Sequence, residues 1–322
     1  MTMTRRGVLK RLGAGGAAVI ASPALLAPGR PPVRKAADRG TAQSGPLPAD
    51  RAAASAASGT GLHGATLDLS AFPPGTTWAE AIQAWNGFTA TKIRACKVYF
   101  GPSQFPTSIT WDIQAFIDND IKALLCFKPA VPFKAADLAA LKSTLLMYKL
   151  AGLKADVTLW QEPQDVMSVL DYRRAVRDYG PAVRHYYRLA YDAGSHGAPA
   201  EWTSYYPGDA QIDIVAVDYY AGSYVGGARL EGIAKLADYA KPAMAFGLWE
   251  MGVSASNTGP SVSETQVHEY FAYVQWFMSR RVKAGKANAE IAWYNGDGVN
   301  TIDSSSDYRV PLWNSLVAAT SV

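Results

Sequence analysis

The sequence predicts an α/β fold, a (β/α)8 barrel formed by a single domain, and three observations carry that reading. From Gly61 to the C-terminus, short β-rich runs alternate with helical patterns, and strands alternating with helices become parallel strands joined by crossovers. The run contains about eight such units in about 260 residues, which fits one closed barrel. The composition is 49% hydrophobic and 18% charged, enough apolar material for a large core. A doubly wound open sheet is the alternative. It would want a Gly-rich phosphate loop after an early strand, whereas "GTGLHG" (59–64) comes before the first one.

The strand candidates, in order, are "ATLDLS" (65–70), "KIRACKVYF" (92–100), "IKALLCFKP" (121–129), "DVTLWQEP" (156–163), "AEWTSYYP" (200–207), "IDIVAVDYY" (212–220), "PAMAFGLWE" (242–250) and "AEIAWYN" (289–295). Helical spacing separates most of them. "TWAEAIQAWNGF" sets Trp78, Ile82 and Trp85 at helical intervals. "AADLAALKSTLLMYKLAG" places Leu138, Leu141, Leu145 and Leu146 on one face, with Gly152 as its C-cap. "YRRAVRDYGPAVRHYYRLAYDAG" reads as one long helical stretch that Gly180-Pro181 should kink or split. "LEGIAKLADYA", "TQVHEYFAYVQWFMSRRVKAG" and a short helix near Pro311 follow. Only "GDAQ" lies between the fifth and sixth strand candidates, so that connection should be a turn.

The first 60 residues are different. They hold nine Lys/Arg against two Asp/Glu, so the formal +4 of the whole chain conceals a body of about −3. A slightly acidic body is a poor partner for nucleic acid. No apolar run approaches the roughly 18 residues of a membrane span. Residues 29–60 are rich in Pro, Ala, Gly and Ser without apolar periodicity, and read as a disordered linker. Only two cysteines occur, Cys96 and Cys126. That is neither a disulfide framework nor a metal cluster. Both sit in apolar strand-like runs, so buried thiols are expected, with a bridge between neighbouring strands as the alternative. The four histidines lack ligand spacing, which argues against a catalytic metal, and no cofactor motif is present. No G-x-S-x-G elbow appears.

In a barrel the C-terminal strand ends share one face, and active sites sit there. Glu162 follows the fourth strand candidate and Glu250 ends the seventh. They are about three βα units apart, so they face each other across the barrel mouth. Two opposed carboxylates are what glycoside hydrolysis needs: one donates a proton to the leaving oxygen, the other attacks or activates water. Asp165 is a competing acid, better read as a surface or N-cap residue. Asp218 stands before Tyr219-Tyr220 and is either structural or functional. Lys128 and Asp68, at the ends of the third and first strands, either bind substrate or pair with a neighbouring charge. Tyr99, Tyr205 and Tyr206 could line a cleft, since flat amphipathic rings suit sugar faces. By period two, Trp160 shares the inward parity of Glu162, and Trp249 takes the opposite side from Glu250, under the helices.

Two resemblances extend this reading. "TRRGVLK" (Thr4–Lys10), followed by a Gly/Ala-rich apolar stretch, is similar to a twin-arginine export signal and implies a secreted, folded body after residues 1–28. The body, residues 61–322, resembles clan A glycoside hydrolases, most closely the family 26 branch. "WQEP" resembles the clan's fourth-strand motif, and "KPAMAFGLWEMG" its seventh-strand motif. The resemblance implies Glu162 as acid/base and Glu250 as nucleophile of a retaining enzyme. "SYYPGDAQIDIVAVDYY" (204–220) resembles the family 26 pattern ending in a tyrosine that hydrogen-bonds the nucleophile, here Tyr220. "IAWYN" resembles the eighth strand, which implies Trp293 as a stacking floor for the sugar. Most of the clan has Asn before the acid/base and family 26 has His or Asn; Gln161 departs from both, keeping the amide one methylene longer. The implied partner is a carbohydrate substrate, with no cofactor. A catalytically inactive, carbohydrate-binding barrel is the alternative that Gln161 leaves open.

Overall fold

The computed structural model describes residues 62–195, 199–223, 228–240, 244–254, 262–296 and 300–321. The signal and linker segments, 1–28 and 29–60, lie outside the described residues. The described elements follow a strict alternation. Strand β1 (His63–Leu67) precedes α1 (Trp78–Phe88), β2 (Ala95–Pro102) precedes α2 (Trp111–Asp118), and β3 (Lys122–Lys128) precedes α3 (Ala135–Leu150). Then come β4 (Ala155–Leu159), α4 (Val169–Tyr186), β5 (Arg188–Gly194), α5 (Pro199–Tyr205), β6 (Ile214–Tyr220) and α6 (Ala228–Asp238). The series closes with β7 (Ala245–Gly252), α7 (Glu264–Lys283), β8 (Asn288–Asn295) and α8 (Arg309–Thr320). All strand pairs are parallel and β1 pairs with β8, so the sheet is a closed (β/α)8 barrel.

Local chemistry explains several boundaries. Thr77 and Glu80 form a reciprocal capping box at the start of α1, and Ser263 and Gln266 do the same for α7. Helix α3 ends as expected at Gly152, whose φ is +85°. The Gly152 amide donates to Lys149 and the Leu153 amide to Tyr148, at 3.1 and 3.0 Å. That is a Schellman arrangement, which needs a residue tolerant of positive φ. Gly64 is demanded by closure: a Cβ there would lie 1.8 Å from the Ala95 carbonyl oxygen.

One expectation fails in this region. The fifth strand is not 200–207 but Arg188–Gly194, and Trp202 to Tyr205 belong to the short helix α5. The "GDAQ" turn is therefore not the whole β5–β6 connection. The Gly180-Pro181 pair neither splits nor ends α4, which runs unbroken from Val169 to Tyr186. Pro181 and Arg177 are both exposed, so the helical bond that Pro181 cannot make lies on the exposed face of α4.

The core has two layers. Outside the sheet, strand residues such as Val157, Leu189, Val217 and Leu248 pack against the helices. Inside the barrel a smaller group, including Leu124, Ala190, Ala216 and Trp249, fills the middle. One end of the interior holds charges. Lys122 lies 2.9 Å from Asp156 and 2.5 Å from Glu290, and Arg188 lies 2.6 Å from Asp156. Burial opposes ionisation of Asp156, but Lys122 and Arg188 overcome it and hold the carboxyl down at about 2. Trp249 donates its Nε1–H to Glu290 at 3.3 Å and caps this group.

The position of Trp249 corrects an expectation, since it was assigned to the outer layer. Val217 pairs with Leu248, and the next residue, Asp218, pairs with Glu250. Trp249 is thus an extra residue in β7, a bulge that breaks the period of two and lets consecutive side chains share one face. Gly247 makes room for the indole: a Cβ there would lie 3.1 Å from Trp249 Cδ1.

Candidate active site

The carboxylates predicted at the strand ends are brought to the same place, and the backbone that delivers them is unusual. After Leu159 the chain leaves β4 through Trp160 and Glu162, with φ of +60° and +44°. Left-handed backbone at non-glycine residues costs about 1 kcal/mol each. Ladder bonds hold the conformation. Trp160 donates to the Phe127 carbonyl on one side, and Glu162 to the Asp192 carbonyl on the other, both at 2.9 Å. Pro163 then begins a single 3-10 turn, Pro163–Asp165. Glu162 is therefore wedged between the ends of β3 and β5 and is only 4% exposed. This is strain spent on aiming a carboxylate inward, where a surface loop would let it relax.

Glu250 arrives from β7 through the bulge and is 2% exposed. Its two oxygens have different partners. Tyr220, at the end of β6, donates its hydroxyl to Oε2 in a short hydrogen bond. Lys97 Nζ, from β2, lies 3.4 Å from Oε1. Gly252 is what admits the tyrosine: a Cβ at this position would lie 2.9 Å from the Tyr220 ring.

Lys97 is the centre of the site, and the sequence reading did not single it out. Its stem crosses the barrel interior. Its ammonium lies 2.8 Å from Asp192 Oδ2 and 2.8 and 3.0 Å from the two oxygens of Asp218. Burial disfavours the charge, but Asp192, Asp218 and Glu250 together hold Lys97 protonated well above the ordinary lysine value. The acids respond in the opposite sense. Burial raises the Asp192 carboxyl, with Lys97 opposing and the Glu162 charge adding to the rise. Burial and the neighbouring Asp192 raise Asp218 well above the usual carboxylate range, again with a contribution from Glu162. One ammonium faces several buried carboxylates, so simultaneous ionisation of Asp192 and Asp218 is disfavoured. Glu162 and Glu250 thus border one electrostatic cluster.

The remaining predicted residues divide. Gln161 lies beside the cluster, where its backbone amide reaches the Cys126 thiol; its side-chain Oε1 is buried without a protein donor. Tyr99 stands on the barrel's inner face, with Lys97 Nζ 5.4 Å from its ring centroid and its own hydroxyl buried without a protein partner. Lys128 sits 6.0 Å from the Trp160 ring, while that ring's Nε1 donates to the Pro129 carbonyl at 3.0 Å. Trp160 therefore packs on the β3 loop rather than into the barrel. Asp68 caps the 3-10 turn Leu69–Ala71 by accepting from the Ser70 amide at 2.9 Å. Asp165 is exposed within its turn.

Trp293 is not a stacking floor. It is fully buried, stacks on Phe271 of α7 at 5.5 Å and donates its Nε1–H to the Asn300 carbonyl at 2.9 Å. Its strand parity turns it outward, into the layer between sheet and helices. Tyr205 and Tyr206 are tied to the protein by their own hydroxyls. Tyr205 donates to the Met167 carbonyl at 2.5 Å, and Tyr206 to Asp209 at 2.7 Å. Both cysteines are free and buried. Burial pushes the Cys96 thiol up to about 12 and Cys126 to about 11. Among the described residues no group of three His, Cys, Asp or Glu is placed to hold a metal ion, and no helix is long and apolar enough to cross a membrane.

The class of molecule this defines is a (β/α)8 barrel with a buried carboxylate cluster at the C-terminal strand ends. Two solved structures share the architecture. The catalytic domain of the GH26 endo-β-1,4-mannanase of Bacillus sp. JAMB-750 superposes with a TM-score of 0.55 over 80% of this chain and 85% of its own, at 12% identity. A glucosidase from Croceicoccus marinus superposes with a TM-score of 0.52 over 80% of this chain and 67% of its own, at 11% identity. At these identities the likeness is one of fold. No family model and no curated protein matches the sequence.

Proposed function

We propose that the protein is a secreted, retaining glycoside hydrolase that cleaves a polysaccharide or oligosaccharide. The observation that carries this is the convergence of Glu162 and Glu250 on one buried charge cluster. Glu162 protonates the glycosidic oxygen as its bond to the anomeric carbon breaks. Glu250 attacks that carbon to give a glycosyl ester. Water, deprotonated by Glu162, then displaces Glu250 and returns the anomeric configuration to its starting hand. Tyr220 orients the nucleophile through its hydrogen bond. The unpartnered amide oxygen of Gln161 and the hydroxyl of Tyr99 are available to sugar hydroxyls, and Lys128 is the further polar group at the β3 end. No step in this scheme needs a cofactor.

A screen of β-mannans, β-glucans, xylans and arabinose-containing wall polymers tests the reading, with product stereochemistry followed by NMR. Hydrolysis with retention, lost by at least about a thousandfold in Glu250→Gln and in Glu162→Gln, supports it. Binding of a polymer without release of sugar favours the inactive binding barrel instead, and inversion rejects the role given to Glu250. Export rests on Arg5 and Arg6: replacing both with Lys should keep the protein inside the cell, and unchanged secretion would reject the twin-arginine reading.

A further inference from the structure

We propose that Lys97 is a positioning residue for Glu250: fixed by Asp192 and Asp218, its ammonium holds Oε1 while Tyr220 holds Oε2, so the nucleophile is held in one orientation. This inference rests on the glycosidase reading and assigns roles to Lys97, Asp192 and Asp218 within it.

The geometry supports a functional arrangement over a merely structural ion pair. Lys97 is wholly buried, and its three carboxylate partners come from three successive strands on the opposite side of the barrel. A bridge meant only to brace the barrel needs one partner, and the other end of the interior already has such bracing in Lys122, Asp156, Arg188 and Glu290. Asp192 and Asp218 anchor the ammonium, which also reaches Glu250. Glu250, in contact with that ammonium, alternates between carboxylate and ester during the reaction. When the ester forms, a carboxylate oxygen bonds to the anomeric carbon and the charge beside Lys97 is lost. When water attacks that carbon, the ester bond breaks and its electron pair returns to the Glu250 oxygen facing the same positive field. Lys97 thus favours Glu250 both as an ionised nucleophile and as a leaving group.

The groups that face this ammonium from the surrounding strands are Tyr99 of β2, the Cys126 thiol and Lys128 of β3, Glu162 after β4, Asp192 of β5, Asp218 and Tyr220 of β6, and Glu250 of β7. Of these, Lys97 is in ion-pair contact with the carboxylates of Asp192, Asp218 and Glu250.

Lys97→Met alone would leave three buried carboxylates without their cation and is expected to fold poorly. The informative variant is Lys97→Met with Asp192→Asn and Asp218→Asn, which removes positive and negative charge together. Its fold is checked by circular dichroism, and kcat and KM are measured separately on an aryl glycoside that the wild type cleaves. kcat should fall at least tenfold, with KM changed less than threefold. The double variant Asp192→Asn with Asp218→Asn, which keeps the ammonium, should retain more activity than the triple variant. Lys97→Arg should retain more activity than the triple variant. An unchanged kcat in a folded triple variant overturns the role of Lys97 while leaving the glycosidase reading intact. A wild type that hydrolyses no glycoside overturns both.

Discussion

Tyr220 and Gly252 are register partners on β6 and β7, and the tyrosine ring lies where a Cβ at Gly252 would stand. The missing side chain is what lets the hydroxyl reach Glu250. Tyr220→Phe deletes one hydrogen bond to a charged group, worth about 1.5–3 kcal/mol. kcat should fall about 10- to 100-fold, with KM little changed. Gly252→Ala should reproduce much of that loss by displacing the ring. Steady-state kinetics on one substrate checks both, and full activity in Gly252→Ala would show that the contact does not position Glu250.

Trp293 belongs to the packing between β8 and α7. Trp293→Leu should therefore lower stability by about 2–4 kcal/mol, a melting shift of several degrees for a domain of this size. KM for oligosaccharides of increasing length should stay within about twofold. Calorimetry and kinetics together decide this. A large KM effect with an unchanged melting temperature would restore Trp293 as a sugar platform.

His63 gives the barrel an acid-sensitive joint. Its Nε2 lies 2.7 Å from the Thr320 hydroxyl, and its ring meets Trp313 edge-on. Burial lowers its pKa from 6.5 to about 4. The folded state thus prefers the neutral ring, while the unfolded chain takes up a proton near 6.5. The stability contribution is fully present above pH 6.5 and is lost as pH falls toward 4, by roughly 3 kcal/mol. Urea titrations at pH 7 and pH 4.5 should show a smaller loss in His63→Gln than in the wild type. Equal losses would place the acid sensitivity elsewhere.

Asp156 holds Lys122 and Arg188 together. Asp156→Ala should destabilise by about 3 kcal/mol, because it leaves partly buried cations short of a partner. The pH profile of activity should not move, since this cluster shares no residue with the one around Lys97. A shifted profile would show that the two ends of the barrel are coupled.

The strand-end glutamates and Tyr220 were legible because each ends an apolar run, and strand ends are where a barrel exposes chemistry. Asp192 was not. Residues 188–194 follow directly on a helical pattern, and a strand buried on both faces has no alternation to mark it. The aromatic-rich stretch 202–206 looked more β-like and took the fifth position. Lys97 was hidden for a different reason: one basic residue in an apolar strand says nothing about partners supplied by three distant strands. The inward turn of Trp249 was unreadable because a bulge suspends the period-two rule on which the assignment rested.

That bulge has a consequence for engineering. A broad indole lies across the bore between the charges at the floor and those at the mouth, and the two sets share no residue. The lower half can then be treated as a sealed foundation, on which the upper carboxylates and their loops can be exchanged for other chemistry without renegotiating how the cylinder stands up.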